Sequence, residues 1–472
     1  MNSRPMLILL AGLTYSNASA EQLVVDHFEP AVSAPAWTFV NASLDRSDGE
    51  GVKLARGDKS LSYVILNLDG DLQGRRLRIE GQICCDIDPH SANVWATFYK
   101  GSEPQVTFHG VPVEHSKKEG VLSIMVPAYP GSTMVRIGAF NSSEKDVHLQ
   151  RFKASSMEPP SVTPRNRITE IADLVAAKSV YLSEENGTQH AVFLEYAKQL
   201  AASADTGAND EHLVGALLKY AGDVHSRFLG GAPGQSRPQS QPQTTSMHPW
   251  STIVGNAGYV EVPGTTAASP ESVKDFRELL TRALSEFEGR ELKSVVVDLR
   301  RNSGGNMWPA ICAFQPMLPE EFGYFLYPDG RKVSWAEVSE QVAPLMVANT
   351  NCARERSYVS PETPLYVLLS GDTASAGEAV AIALLSRSGS ISAGSPTMGL
   401  TSANEPVNVS DGITIVLAAS WMAGSDGVAK KGPLVPDIQI ELPLSVGEQK
   451  ADISLLTKQL QESKSRRPVP QS

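Results

Sequence analysis

Residues 363–380 read TPLYVLLSGDTASAGEAV. The apolar run Leu365–Leu369 has the length of a buried strand and no polar interruption. From Ala376 onward the chain continues in small and apolar residues of good helical propensity, with Glu378 in what would be the first turn. Between them, Gly371, Asp372 and Thr373 mark a tight strand-to-helix turn. Ser375 sits at that junction between two alanines. Small residues suit a crowded turn, which is one explanation. The other is that the turn presents a nucleophile beside the unsatisfied N–H groups of a helix start. Serine is a weak nucleophile alone, so the rest of the chain must then supply a base and a second oxyanion donor.

A second junction of the same kind stands upstream. SVVVDLRRNSGG, residues 294–305, is another apolar strand that runs into a glycine turn and opens a helix. Gly304 and Gly305 let a backbone N–H approach a ligand without side-chain obstruction. Together with the N–H of Ala376, just after the serine, they are the candidate oxyanion donors. Around these junctions the pattern keeps alternating. Strand AGYVEVPG leads to helix SPESVKDFRELLTRALSEFEG, helix MWPAICAFQPML to hairpin YFLYPDGRKVSW, and strands GSISAGSPTMG, GITIVLAASWM and VPDIQIELP follow. Alternating strands and helices predict a layered α/β domain over residues 250–445, with a tail at 446–472.

The region before it is different. Residues 21–155 carry short alternating runs such as LSYVILNLDG, NVWATFYKG and TMVRIGAFN, which predict an all-β sandwich of jelly-roll type. Its aromatic residues Trp37, Phe39, Trp95, Phe98 and Tyr99 read as sandwich core, the commoner use of such side chains, or as a carbohydrate- or peptide-binding face. Prolines in SSMEPPSVTPRNR mark a linker, and apolar residues three and four apart predict helices over 165–229. Residues 230–249, rich in Gln, Pro and Ser, read as a linker or mobile loop.

The totals narrow the function. In 472 residues, 41% hydrophobic and 20% charged, there is ample apolar material for two or three domains. A net charge of -11 argues against nucleic acid as a partner. Residues 1–20 place Arg4 before an apolar run, Met6 to Leu13, and end in Ala18-Ser19-Ala20. That is the layout of a secretory signal, which predicts an exported chain, periplasmic or extracellular. The run is too short to span a bilayer, and no later stretch is long enough, so no stable membrane span is expected. Four cysteines in an exported chain permit disulfides, and Cys312 with Cys352 is the plausible bridge. Adjacent Cys84 and Cys85 would point to opposite faces of a strand. With no CxxC pair or His/Cys cluster, neither metal nor cofactor is implied.

The order SVVVDLRRNSGG, then YVLLSGDTASAGEAVAIAL, resembles the tail-specific, or C-terminal-processing, serine proteases. GYVEVP upstream, and AGSPTMGLT, VSDGITIVLAAS and LVPDIQIELP downstream, extend the likeness over roughly 250–436, and AGDVHSRF at 221–228 resembles the family's D-x-H-S segment. The resemblance implies a crotonase-like fold and Ser375 as nucleophile. One branch of the family takes its base from a lysine in a T-x-G-K segment, but here the text is TMGL and Leu400 stands at that place. Lys430 and Lys431, further on, read as solvated. The other branch, resembling the tricorn core, uses the histidine of D-x-H-S, which is His225, with Asp223 and Ser226 as groups that orient or donate to it. Histidine suits a base that must later act as an acid. The glutamate of the tricorn-like pattern has no match, and Asp426, in an SDG turn, is the nearest carboxylate. Glu378 reads as a helix-dipole residue, and Asp298 with Arg300 as a structural ion pair. The PDZ domain common in the family has no room between 229 and 250. The expected function is an exported serine peptidase acting on a peptide or protein substrate. The alternatives are a non-catalytic ligand- or peptide-binding protein on the same fold, and an esterase or amidase.

Overall fold

The computed structural model describes residues 22–26, 38–40, 42–45, 51–55, 62–69, 75–84, 92–115, 119–143, 145–157, 166–183, 187–204, 210–230, 248–266, 269–339, 357–409, 413–440 and 458. The chain divides into two compact units, one of residues 1–236 with 406–417, the other of 237–405 with 418–472.

The first unit contains two antiparallel sheets. One has seven strands, in the order Ala42–Asp45, Gly51–Leu54, Val147–Met157, Arg76–Cys84, Glu119–Pro127 and Val111–His115, with Gln22–Asp26 also pairing Val147–Met157. The other has five, in the order Thr38–Val40, Ser62–Asp69, Met134–Asn141, Ala92–Lys100 and Glu103–His109. Period-two alternation sorts the side chains. Val94, Ala96 and Phe98 are fully buried on one face, while Trp95 and Tyr99, on the other, are half-buried.

Three longer helices belong to the same unit: Arg167–Lys178, Gly187–Ala204 and Asp210–Tyr220. The first is capped by Asn166, whose side chain accepts the Ile168 N–H while Thr169 answers the Asn166 N–H. Its buried residues Ile168, Ile171, Ala172 and Val175 form one stripe. The helices share a hydrophobic cluster with both sheets: Val175, Phe193 and Leu217 lie in it with Ile79, Phe98 and Phe152. An amphipathic helix needs its apolar stripe covered, and here the sheet region supplies the cover. Val407, Val409, Ile413, Ile415 and Leu417, far along the chain, complete this cluster. Residues 414–416 also pair with strand Arg227–Gly230.

The second unit is built on a six-stranded sheet in the order Trp250–Val254, Ala257–Glu261, Ser294–Asp298, Leu365–Leu369, Ser390–Gly394 and Ile438–Gln439. The first pair is an antiparallel hairpin and the other four pairings are parallel. Strands Ser294–Asp298 and Leu365–Leu369 are buried along their whole length, as their unbroken apolar runs require. Parallel strands need crossovers, and helices Pro270–Ser285, Trp308–Phe314 and Ala376–Leu385 supply them. Leu280, Leu284, Phe314, Val380 and Leu384 pack with Val295 and Val367 in one cluster. A small antiparallel set, Tyr324–Leu326 with Lys332–Ser334 and with Trp421–Ala423, lies in the same unit. Cys312 is disulfide-bonded. Its predicted partner Cys352, like Cys85, Trp37 and the signal-like segment, lies outside the described residues. Among the described residues no helix is long and apolar enough to cross a membrane, and no cluster suited to a metal ion occurs.

One consequence of the parallel pairing positions the site. Val295 pairs with Leu365 and Asp298 with Leu368, so the two strands end side by side. The turns that follow them, 299–306 and 370–375, therefore emerge at the same edge, where open α/β sheets bind ligands.

Candidate active site

Ser375 is the only non-glycine residue with positive φ among the described residues, at φ 52 and ψ -114. Side chains other than glycine avoid this region, and holding one there costs about 1–3 kcal/mol. The serine occupies the sharp strand-to-helix turn that nucleophile elbows use to project an Oγ. Glu378, one turn into the helix, holds it in place. The Glu378 carboxylate is fully buried and accepts the Ser375 N–H at 2.8 Å. Its other oxygen accepts the Thr397 hydroxyl at 2.5 Å and the Gly399 N–H at 2.9 Å. Burial pushes this carboxyl above its ordinary value, while hydrogen bonds from Thr397 and from the backbone at Ser375, Gly399 and Leu400 oppose the shift. One side chain thus ties the elbow to the segment 397–400.

The glycine turn lies against the elbow. A Cβ on Gly304 would stand 2.9 Å from Ser375 Cβ, 3.0 Å from the Ala374 carbonyl and 3.4 Å from the Ala376 nitrogen. Gly304 and Gly305 have φ of 106 and 109, which suits glycine alone. Asn302 joins the turns: its carbonyl accepts the Ala374 N–H at 3.0 Å, and its side chain accepts the Gly304 N–H at 3.2 Å and donates to the Val262 carbonyl. Ser370 Oγ donates to the Arg300 carbonyl at 2.7 Å and Thr373 Oγ1 to the Leu299 carbonyl at 2.9 Å. The Ala376 N–H makes no hydrogen bond among the described residues, as expected at a first helical position. Since the Gly304 N–H is engaged by Asn302, Gly305 is the better placed of the pair to donate elsewhere.

Beneath the turns, Arg300 and Asp298 form a buried ion pair at 2.6 Å, both side chains almost wholly inaccessible. The Tyr259 hydroxyl donates to the same carboxylate at 2.7 Å. Burial works against the Arg300 charge, but the Asp298 carboxylate outweighs it and leaves the guanidinium above its ordinary value. Burial, reinforced by Asp298, raises the Tyr259 hydroxyl strongly.

His225 belongs to the first unit and Ser375 to the second. The histidine is half-buried in the turn between helix Asp210–Tyr220 and strand Arg227–Gly230. Asp223, 4% exposed, organises this turn: one oxygen accepts the His225 N–H at 3.0 Å and the Ser226 N–H at 2.8 Å, and the other accepts the Ser226 hydroxyl. Burial raises the Asp223 carboxyl, and these hydrogen bonds with one from Ser179 restrain the shift. So Asp223 fixes the backbone of His225, and Ser226 donates to Asp223. Asp426 lies in a turn of the second unit. It pairs with Lys430 at 2.8 Å, accepts the Val428 N–H at 3.0 Å, and has half of its side chain exposed. Partial burial pushes its carboxyl up and Lys430 outweighs that, leaving it below the usual range. Leu400 sits in the segment that Glu378 grips, half-buried.

Sequence reasoning gave Glu378 and Thr397 no part in shaping the elbow. The spacing S-x-x-E across Ser375 and Glu378 is a capping-box pattern and was the available signal. Thr397 had none, because its partner is distant in sequence.

Residues 256–440 match the family model of peptidase family S41. Over this stretch, less than half of its length, the chain is similar to the serine peptidases of that family. The nisin-resistance protein of Lactococcus lactis subsp. lactis is 26% identical over 230 residues, covering 47% of this chain and 67% of that one. The carboxy-terminal processing protease CtpA of Bacillus subtilis (strain 168) is 28% identical over 190 residues, 40% of this chain and 36% of that one. Among solved structures, a lipoprotein from Streptococcus agalactiae aligns with a TM-score of 0.49 at 19% identity, covering 65% of this chain and 99% of that one.

Proposed function

We propose that the chain is an exported serine peptidase in which Ser375 is the nucleophile and His225 the general base. The observation that carries the reading is the elbow: a serine at φ 52, clipped by a buried glutamate, with a glycine turn against its Cβ. Ser375 Oγ attacks the peptide carbonyl and His225 takes its proton. The N–H groups of Ala376 and Gly305, with Gly304 as the alternative, stabilise the oxyanion. His225 then protonates the leaving amine, and water, deprotonated in turn, releases the acid product. Asp223 and Ser226 serve by holding the histidine's turn. Asp426 is the proposed orienting acid of the sequence reading, and its engagement with Lys430 favours a Ser–His dyad over that role. The second unit is read as crotonase-like and the two N-terminal sheets as a jelly-roll-like β-sandwich. Export rests on the layout of residues 1–20.

Labelling of the mature protein by a fluorophosphonate, read by intact mass, tests the nucleophile and base together. Wild type should gain one adduct, and Ser375→Ala and His225→Ala should each lose it. Nisin and a peptide ending in apolar residues are the first substrates to try. A folded wild type that resists labelling would favour the non-catalytic binding reading, which Leu400 in place of a lysine supports.

A further inference from the structure

The outward face of the five-stranded sheet carries a hollow of about 440 Å³. Its position follows from the strand register. Gly138 lies between Ile65 on one neighbouring strand and Trp95 on the other. A side chain at 138 would run into the Val64 carbonyl at 2.1 Å, so this point in the row stays empty. The rows on either side of the gap differ in chemistry. In one, Phe140 pairs across to Tyr63. In the other, Arg136 pairs with Thr97, and Thr97 in turn with Thr107. The hollow therefore has an aromatic wall, a polar wall, and Trp95 beside its floor.

The polar wall is already arranged. Arg136 Nε donates to Asn67 at 2.8 Å, its NH1 donates to the Tyr99 hydroxyl at 3.2 Å, and its guanidinium lies 4.9 Å from the Tyr99 ring centre. Thr97 and Thr107 share a hydrogen bond of 2.8 Å. Arg136 has five N–H donors, and these two bonds leave others for a ligand. Among the described residues that line the hollow, it is the one permanently charged side chain, and none of them is a carboxylate.

We infer that this hollow is a binding site for an acidic saccharide. A pyranose ring has a flat C–H face that stacks on aromatic side chains, and an edge of hydroxyls that exchange hydrogen bonds with Thr and Arg. A carboxylate on the ring meets Arg136 in a charge-assisted pair. The volume falls within the ordinary range for small-ligand sites. A peptide fits less well. The strands that form the hollow's centre, Met134–Asn141 and Ala92–Lys100, are each paired on both sides, so strand addition is confined to the edge strand Glu103–His109 at the hollow's rim. Neither Trp95 nor Arg136 contributes to the buried core, so the site's chemistry is separable from folding.

The test uses the full mature chain and isothermal titration with four probes: hexagalacturonate, cellohexaose, chitohexaose and an apolar hexapeptide. Hexagalacturonate should bind, and Trp95→Ala and Arg136→Ala should each weaken it at least about tenfold, equivalent to about 1.4 kcal/mol. Both variants should keep the wild-type melting temperature and wild-type fluorophosphonate labelling, which separates this site from Ser375. Absence of hexagalacturonate binding overturns the proposal. So does binding that both variants retain, or binding confined to the neutral sugars or the peptide.

Discussion

At the scale of single residues, Glu378 carries more than its position in a helix suggests. Its two oxygens accept from Ser375, Thr397 and Gly399, so every neighbour presents a donor. Glu378→Gln would turn an N–H toward one of these donors. The elbow should loosen, and a rise of 1.4 kcal/mol at the reacting geometry would slow fluorophosphonate labelling about tenfold. The pH dependence has a definite sign. The folded-state pKa lies above the ordinary 4.5. The folded protein therefore holds this proton more tightly than the unfolded chain does. The resulting stabilisation is fully present below the unfolded value and is lost as pH rises through the raised folded value. The amide variant has no such term. Denaturation midpoints of wild type and Glu378→Gln, compared from pH 4 upward, should show the wild type losing ground relative to the variant as pH rises. A constant difference would mean that Glu378 does not titrate in that window.

At the scale of elements, the paired turns after Asp298 and Leu369 are held by ties from one to the other: Ser370 to Arg300, Thr373 to Leu299, Ala374 to Asn302. The buried Asp298–Arg300 pair lies under both. Arg300→Ala would leave a carboxylate buried without its cation, a loss of about 3–5 kcal/mol, read as a lower urea midpoint. Labelling should fall with it even under conditions where the variant is still folded, because the glycine turn loses its base. Much of this was legible in the text. Fully apolar runs gave the buried parallel strands, and glycines and small residues gave the turns that end them. The Asp298–Arg300 pair was legible because the partners are two residues apart. Thr397 was not, since its hydrogen bond to Glu378 depends on how strand Ser390–Gly394 returns beside strand Leu365–Leu369. Nor was the split among the N-terminal aromatics. Phe98 faces the core and Trp95 and Tyr99 face away, a matter of register that composition does not reveal.

At the scale of the whole molecule, export and the disulfide are linked through the oxidising compartment that a bridge requires, and each has its own test. Edman sequencing of the secreted form should begin at Glu21, and non-reducing peptide mapping should find Cys312 joined to Cys352. Joining those two positions closes a loop of some 40 residues, for which chain entropy gives a stabilisation of roughly 4 kcal/mol. Reduction should therefore lower the melting temperature by several degrees. A retained leader, or Cys312 joined elsewhere, would count against the corresponding reading.

The first unit closes with a segment, 406–417, that the ribosome makes only after residues 237–405 of the second unit. Strand Arg227–Gly230, which follows directly on the turn that holds His225, finds its antiparallel partner there. As the chain is synthesised from its N-terminus, the histidine's surroundings cannot be completed until the serine's turn has already emerged. A product cut short after residue 236 would carry His225 without that partner strand. Proposed nucleophile and proposed base therefore mature in a fixed order, the turn of the later residue being available first.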